Sequence, residues 1–145
     1  MNIKSNFILR KIFDNLEKNK SLEIMKYNKQ LQKRFNLTIN DYKEYFEYYY
    51  SPIEIELKLV DNIYDEFINI PEEDSEYYHI YFDDSKEEIK RNYTNEEDKV
   101  KIIKIIINYQ VKSFKGLFAD RSFITSIVFK KFTRINIIDM SYMFY

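Results

Sequence analysis

A repeated dipeptide near the C-terminus constrains the fold of this chain more than any other feature. Leu117-Phe118 and Met143-Phe144 are similar pairs, and their phenylalanines lie 144 − 118 = 26 positions apart. Periods of about 20 to 50 residues are typical of repeat proteins, in which each unit buries its apolar face against a neighbour. We therefore expect residues 112–145 to form the incomplete start of a repeat array that continues beyond Tyr145.

The second unit of this pattern resembles a known family. Residues 136–145, Asn-Ile-Ile-Asp-Met-Ser-Tyr-Met-Phe-Tyr, are similar to the opening of the repeat in BspA-like leucine-rich-repeat proteins. The resemblance covers residues 114–145 and implies a solenoid that recognises protein partners. In the first unit, Asp120-Arg121 replaces the Gly-Cys that is usual in the family. The motif positions are Phe114, Leu117, Phe118, Ile124, Ile127, Asn136, Asp139, Met140, Met143 and Phe144.

Each unit of such an array should contain a turn followed by a strand. In the first unit we expect the turn at residues 113–118 and the strand at 124–129. Because the end of a repeat array needs a cap, we expect the strand at residues 100–109 to cover it. Met140, Met143 and Phe144 should stay exposed unless another repeat follows, and the chain should then be prone to aggregate.

The middle of the chain, residues 52–111, has the two-residue period of β-strands. Ile53, Ile55, Leu57 and Leu59 alternate with more polar residues, which indicates a half-buried strand. Further strands are predicted at 66–70 and 77–82, whereas 86–93 fits either a strand or a short helix. Residues 100–109 are so rich in isoleucine that their strand should be central, or sandwiched between the β domain and the repeat. This range therefore predicts a small antiparallel β domain.

Residues 1–51 have helical spacing instead. Ile8, Leu9, Ile12, Phe13 and Leu16 form one apolar stripe. A second helix is predicted from Ser21, as N-cap, to Phe35, and a third from residue 37 to 50 with Thr38 or Asn40 as cap. Ser51-Pro52 should end the third helix. A helical hairpin and a third helix thus precede the β domain, and the fold class is α+β.

The first helix also resembles the beginning of an F-box, in which an Ile-Phe-x-x-Leu helix is followed by a turn and a second helix. Residues 12–16 match that core. The resemblance implies an adaptor that docks on a ubiquitin-ligase core subunit, and the candidate docking residues are Ile8, Ile12, Phe13 and Leu16. The alternative is that these side chains form only the contact between helices.

The composition argues against catalytic and cofactor sites. The chain has no cysteine, one glycine and one histidine, His79, so a thiolate metal site, a glycine-rich phosphate loop and a multi-histidine site are excluded. The acidic clusters at 72–74, 83–84 and 96–98 fit solvated turns. We predict no catalytic residue, cofactor or metal; an enzyme with an unrecognised carboxylate site is the remaining alternative.

Charge is distributed in three blocks. Basic and acidic residues number 10 and 5 in residues 1–45, 5 and 17 in 46–100, and 8 and 2 in 101–145. Three blocks favour three structural units. The basic residues Lys26, Lys29, Lys33 and Arg34 are spread around their helices and do not form a dense patch, so we predict no nucleic-acid binding.

The sequence also bears on location and function. No apolar run is long enough to cross a bilayer, and charged residues interrupt the N-terminal segment where a signal peptide would be apolar. We therefore expect a cytoplasmic protein with no transmembrane segment. The function that these observations favour is a non-enzymatic protein–protein interaction module, the N-terminal capping part of a leucine-rich-repeat recognition protein.

Overall fold

The computed structural model of this protein describes residues 6–14, 16, 18–61 and 63–145. The chain consists of two compact units, residues 1–46 and residues 47–145. The fold is α+β, as the sequence predicts: helices are followed by one antiparallel sheet. The helices are α1 (Asn6–Asp14), α2 (Lys18–Met25), α3 (Lys29–Arg34) and α4 (Ile39–Tyr50).

The helical hairpin predicted for the first unit is wrong in one respect, because residues 21–35 form two helices and not one. Asn28 lies between them and caps α3. Its side-chain oxygen accepts hydrogen bonds from the N–H groups of Gln30 and Leu31, each at 3.1 Å. Asparagine is among the best N-cap residues, so a new helix begins here.

Ser21 is not an N-cap, contrary to the prediction. It lies inside α2, is buried, and donates its hydroxyl to the carbonyl of Phe13 at 3.2 Å. The hydroxyl therefore ties α2 to α1. Among the described residues of this unit, Leu22 and Met25 are the buried apolar ones.

The predicted third helix is confirmed as α4. Thr38 precedes it, and the Asp41 carboxylate accepts both the N–H and the hydroxyl of Thr38 at 2.7 Å. This is the reciprocal half of a capping box. At the other end, Ser51 donates its hydroxyl to the Glu47 carbonyl at 2.6 Å, and Pro52 prevents a further helical turn.

The second unit is built on five antiparallel strands in the order β3-β2-β4-β1-β5. They are β1 (Ile53–Leu59), β2 (Tyr78–Phe82), β3 (Glu88–Ile89), β4 (Ile102–Ile107) and β5 (Ile124–Lys131), and a 3-10 helix at Glu72–Tyr77 precedes β2. The predicted strand at 77–82 is confirmed, and the ambiguous range 86–93 contributes only a two-residue strand.

β4 is the central strand, as its isoleucines predict. Ile103, Ile105 and Ile107 are fully buried on one face, whereas the residues between them are half-buried. In the pairing of β1 with β4, Ile53 lies opposite Ile107. The two strands thus supply the middle of the core.

The strand predicted at 66–70 is wrong. Within the described part of the chain, its strand-like pairing is limited to an isolated bridge between Glu66 and Tyr93. Phe67 donates its N–H to Asn92 and Asn69 donates its N–H to Leu117, at 2.9 and 2.8 Å. Phe67 and Ile68 are buried, but the backbone of this segment forms hydrogen bonds to two different loops and not to a strand.

β5 joins the same sheet as β1, across the boundary at 111/112 predicted from the sequence. The pairing is antiparallel and aligns Leu57 with Ile127. Side chains from both predicted ranges form one core cluster, which includes Val111, Phe114, Leu117, Phe118 and Met143 together with the sheet residues. Residues 52–111 and 112–145 therefore pack around a shared interior.

Candidate functional site

Residues 113–120 and 139–145 lie side by side in the same direction; we call them the first rung and the second rung. A parallel bridge joins Ser113 to Asp139. Each acceptor in the second rung lies 25 positions after its donor in the first, as for 139 − 114 = 25. The N–H groups of Phe114, Gly116, Phe118 and Asp120 donate to the carbonyls of Asp139, Ser141, Met143 and Tyr145 at 2.7–3.0 Å.

The two rungs also repeat each other internally. Leu117 donates its N–H to Phe114 at 3.1 Å, and 26 positions later Met143 donates its N–H to Met140 at 3.4 Å. Gly116 and its counterpart Tyr142 both have left-handed backbone, with φ of 64° and 55°. The 26-residue period seen in the sequence is thus a period of backbone conformation.

Each rung begins with a side-chain oxygen that accepts a hydrogen bond from the N–H two residues on. Ser113 accepts from Lys115 at 3.3 Å, and Asp139 accepts from Ser141 at 2.8 Å. The hydrogen bond from the Ser141 N–H lowers the pKa of the Asp139 carboxyl. Asp139, a predicted motif residue, therefore shapes the turn.

Apolar side chains at equivalent positions stack on one another. The rings of Phe118 and Phe144 have centroids 6.0 Å apart and planes only 8° apart. Leu117 and Met143 are both buried. The expectation that Met143 stays exposed is therefore wrong, since it packs in the core cluster; Met140 and Phe144 are exposed as expected.

Asn69 covers the other side of the first rung. Its side-chain amide donates to the carbonyls of Gly116 and Ala119 at 2.8 and 3.2 Å, and its oxygen accepts from Arg121. Arg121 also pairs with Glu66 at 2.9 Å. The predicted cap, residues 100–109, lies between β2 and β1 as β4, and its buried isoleucines belong to the same core cluster as Phe114 and Leu117. Nothing in the sequence pattern singled out Asn69 for this role.

A groove of about 460 Å³ lies beside the stacked rings. Ile124 and Ile127, both predicted motif residues, line it from β5 and also pack on the core. Asn136, another motif residue, lies away from the rungs and donates its amide to the Tyr49 carbonyl at 3.2 Å, in the last turn of α4. The motif residues thus divide between the rungs, the groove and this anchor.

The predicted docking residues of the first unit are only partly packed. Ile12 is 43% exposed, Ile8 one turn before it on α1 is 51% exposed, and Phe7 is also exposed. Phe13 and Leu16 are half-buried, and the Phe13 ring meets the Phe35 ring edge-on at 4.9 Å. An apolar surface around Ile12 is therefore open on α1.

The histidine lies between two polar partners. His79 Nδ1 is 2.8 Å from the Glu88 carboxylate, and Nε2 is 3.0 Å from the Asn108 amide. Lys90 and then His79 lower the pKa of the Glu88 carboxyl. Within the described part of the chain, no group of three or more His, Cys, Asp or Glu residues is arranged to hold a metal. None of the described helices is long and apolar enough to span a bilayer.

Comparison with known proteins leaves the rung geometry as the main guide to function. No protein-family model, curated protein or solved structure matches this chain.

Proposed function

We propose that this chain is a non-enzymatic protein–protein interaction module, in which the sheet and Asn69 cap the start of a leucine-rich-repeat stack. The observation that carries the proposal is the row of rung hydrogen bonds with a constant 25-position spacing, from Phe114 to Asp139 onward. Repeat solenoids stack their units in this way and bury a continuous core between them. The flat stack of Phe118 on Phe144 is a further sign of equivalent positions in register.

The outward face of β5 is the recognition surface in this proposal. Thr125, Val128 and Lys130 are its exposed residues, and Val128 lies opposite Glu56 of β1. Lys130 pairs with Glu56 at 3.1 Å. A strand face of this kind holds side chains in fixed positions, which favours binding and not chemistry.

The stacking half of the proposal is tested by adding a unit. A copy of residues 120–145 is appended after Tyr145, and the thermal midpoint is compared with that of the original chain. We expect a higher Tm, because the new unit covers Met140 and Phe144. A matched control carries serine at the Met and Phe positions of the appended copy. An unchanged Tm, or an equal rise with the control, would argue against a repeat stack.

The recognition half needs a separate measurement. For any partner that binds the extended chain with a measurable Kd, Val128→Asp should weaken binding at unchanged Tm. Ile138→Asp, on an exposed residue outside the β5 face, is the control and should leave the Kd unaltered. Equal Kd values for all three proteins would place recognition elsewhere.

An F-box-like adaptor is the second candidate, and the exposure of Ile12 and Phe7 on α1 favours it. We expect the ubiquitin-ligase core subunit that F-box helices bind to associate with this chain in calorimetry. Ile12→Glu should abolish the binding heat, whereas Ile24→Glu, on an exposed residue of α2, should not. No binding by the unmodified chain at high micromolar concentration would rule the adaptor out.

A further inference from the structure

An arginine is buried in the second unit without a countercharge. Arg134 is 3% exposed, and its Nη1 donates to the carbonyl of Asn108 at 2.9 Å. Its Nε and Nη2 atoms have no hydrogen-bond partner among the described residues. Nor does any described Asp or Glu form an ion pair with it. Burial lowers the pKa of Arg134.

A second buried polar group lies in the same region. Tyr78 is 4% exposed, and its hydroxyl has no partner among the described residues. Tyr78 pairs with Ile107 across β2 and β4, and the next residue, Asn108, binds Arg134. Burial raises the pKa of the Tyr78 hydroxyl most, the Asp74 carboxylate raises it further, and the Arg134 charge lowers it.

The buried Arg134 guanidinium and Tyr78 hydroxyl lower the stability of the fold if they have no partner. A buried guanidinium without a countercharge is strongly unfavourable, and buried polar atoms in native proteins almost always have a partner. A water molecule can accept one of these hydrogen bonds, but it does not neutralise the charge. An oxyanion would both accept these hydrogen bonds and neutralise the charge.

The free atoms define the chemistry of that anion. The N–H groups of Nε and Nη2 point in parallel along one edge of the guanidinium, which is the geometry that binds two oxygens of one carboxylate or phosphate. The Tyr78 hydroxyl, on which the Arg134 charge acts, is a further donor without a partner among the described residues. We propose that Arg134 and Tyr78 bind a small oxyanion inside the second unit.

The test is anion-dependent stability of the full chain at constant ionic strength, with sodium chloride replaced stepwise by sodium formate or sodium phosphate. An oxyanion at about ten times its Kd should raise Tm by roughly 4–8 °C. Arg134→Met, which removes the charge at similar volume, should abolish the difference between salts. Tyr78→Phe should keep it but require several-fold more anion, and this variant serves if Arg134→Met does not fold.

A direct readout follows the Arg134 side chain itself. The Nε–H signal of Arg134 in a nitrogen-15 correlation spectrum, assigned by its loss in Arg134→Lys, should shift saturably with formate or phosphate. Equal Tm in all salts, with no shift of this signal, overturns the proposal. So does a rise that is the same size in Arg134→Met, because it would be a general salt effect.

Discussion

The ring of Phe144 lies flat against the ring of Phe118, 6.0 Å away and nearly parallel, although one side chain is 61% exposed and the other 3%. The pair joins the second rung to the buried core of the second unit. Because its two members differ so much in burial, their separate energetic contributions can be measured.

Truncation of each ring should have a different cost. Phe118→Ala leaves a cavity in the core and should lower the free energy of unfolding by about 3–5 kcal/mol. Phe144→Ala loses mainly the ring contact and should cost about 1 kcal/mol. In denaturant titrations, the double variant should show a coupling of about 0.5–1.5 kcal/mol. Ile138→Ala, on an exposed side chain, is the control and should cost less than about 0.5 kcal/mol. Strict additivity would contradict the stack.

Gly116 and Tyr142 have left-handed backbone at equivalent positions of the two rungs. Substitutions at these two positions should therefore change stability in opposite directions. Gly116 has φ of 64°, and an added Cβ there would meet nothing within 4 Å. Gly116→Ala should therefore destabilise by about 1–2 kcal/mol through backbone strain alone. Tyr142 already carries that strain at φ of 55°, so Tyr142→Gly should be neutral or stabilising despite the loss of its edge contact with Tyr145. Chemical unfolding of both variants checks the signs, and a stabilising Gly116→Ala would contradict the assigned conformation.

Among the polar residues that form hydrogen bonds to the first rung, Asn69 should be the one whose substitution lowers the free energy of unfolding most. Asn69→Ala removes the donors to Gly116 and Ala119 and the acceptor of Arg121, and we expect a loss of about 2 kcal/mol. Asn69→Asp keeps the acceptor but not the donors. If only the contact with Arg121 mattered, Asn69→Asp would unfold like the unmodified chain; we expect it to unfold earlier.

The ion pair between Arg91 and Asp98 should make the free energy of unfolding depend on pH in the acidic range. Two hydrogen bonds at 2.7 Å join the half-buried side chains, and the Arg91 hydrogen bond lowers the pKa of the Asp98 carboxyl. Because the folded-state pKa is the lower one, the stabilisation is complete above the ordinary aspartate pKa of about 3.9 and is lost as the pH falls through the folded value. Asp98→Asn should thus be less stable than the unmodified chain at pH 5–8, with the difference vanishing in strong acid.

A matched control for this pH series is Asp84→Asn. Asp84 pairs with Lys104 at 2.8 Å, but its side chain is fully exposed, and exposed pairs add little stability. Lys104 also lowers the pKa of the Asp84 carboxyl, but solvent screens an exposed pair, so the Asp84→Asn curve of unfolding free energy against pH should stay close to that of the unmodified chain. If instead Asp84→Asn and Asp98→Asn gave the same curve, burial would not be what makes the Asp98 pair effective.

Local patterns in the sequence predict much of this fold. The alternation in Ile53–Leu59 and the isoleucine run in Ile102–Ile107 locate β1 and the central β4 correctly, since burial on one face imposes a two-residue period. The run at 66–70 has similar apolar content, yet its backbone bonds loops. Apolar content reports burial, and hydrogen-bond partners far along the chain decide whether the segment is a strand.

The candidate site was partly accessible from sequence. The 26-residue spacing locates both rungs, because equivalent turns need equivalent residues. Asn69 and Arg134 were not accessible, since each acts through partners far along the chain, such as Gly116 and Asn108. The antiparallel pairing of β5 with β1 could not be predicted either, because the sequence of neither strand indicates which strand it pairs with.

That pairing has a consequence for synthesis on the ribosome. β1 has β4 on one side and β5 on the other, and Ile102 follows Leu59 by 102 − 59 = 43 positions. At about 5–20 residues per second, roughly 2–9 s pass before the first partner of β1 is made. During that interval the apolar face of β1 and both of its edges are uncovered, so chaperone binding to the nascent chain should concentrate on Ile53–Leu59.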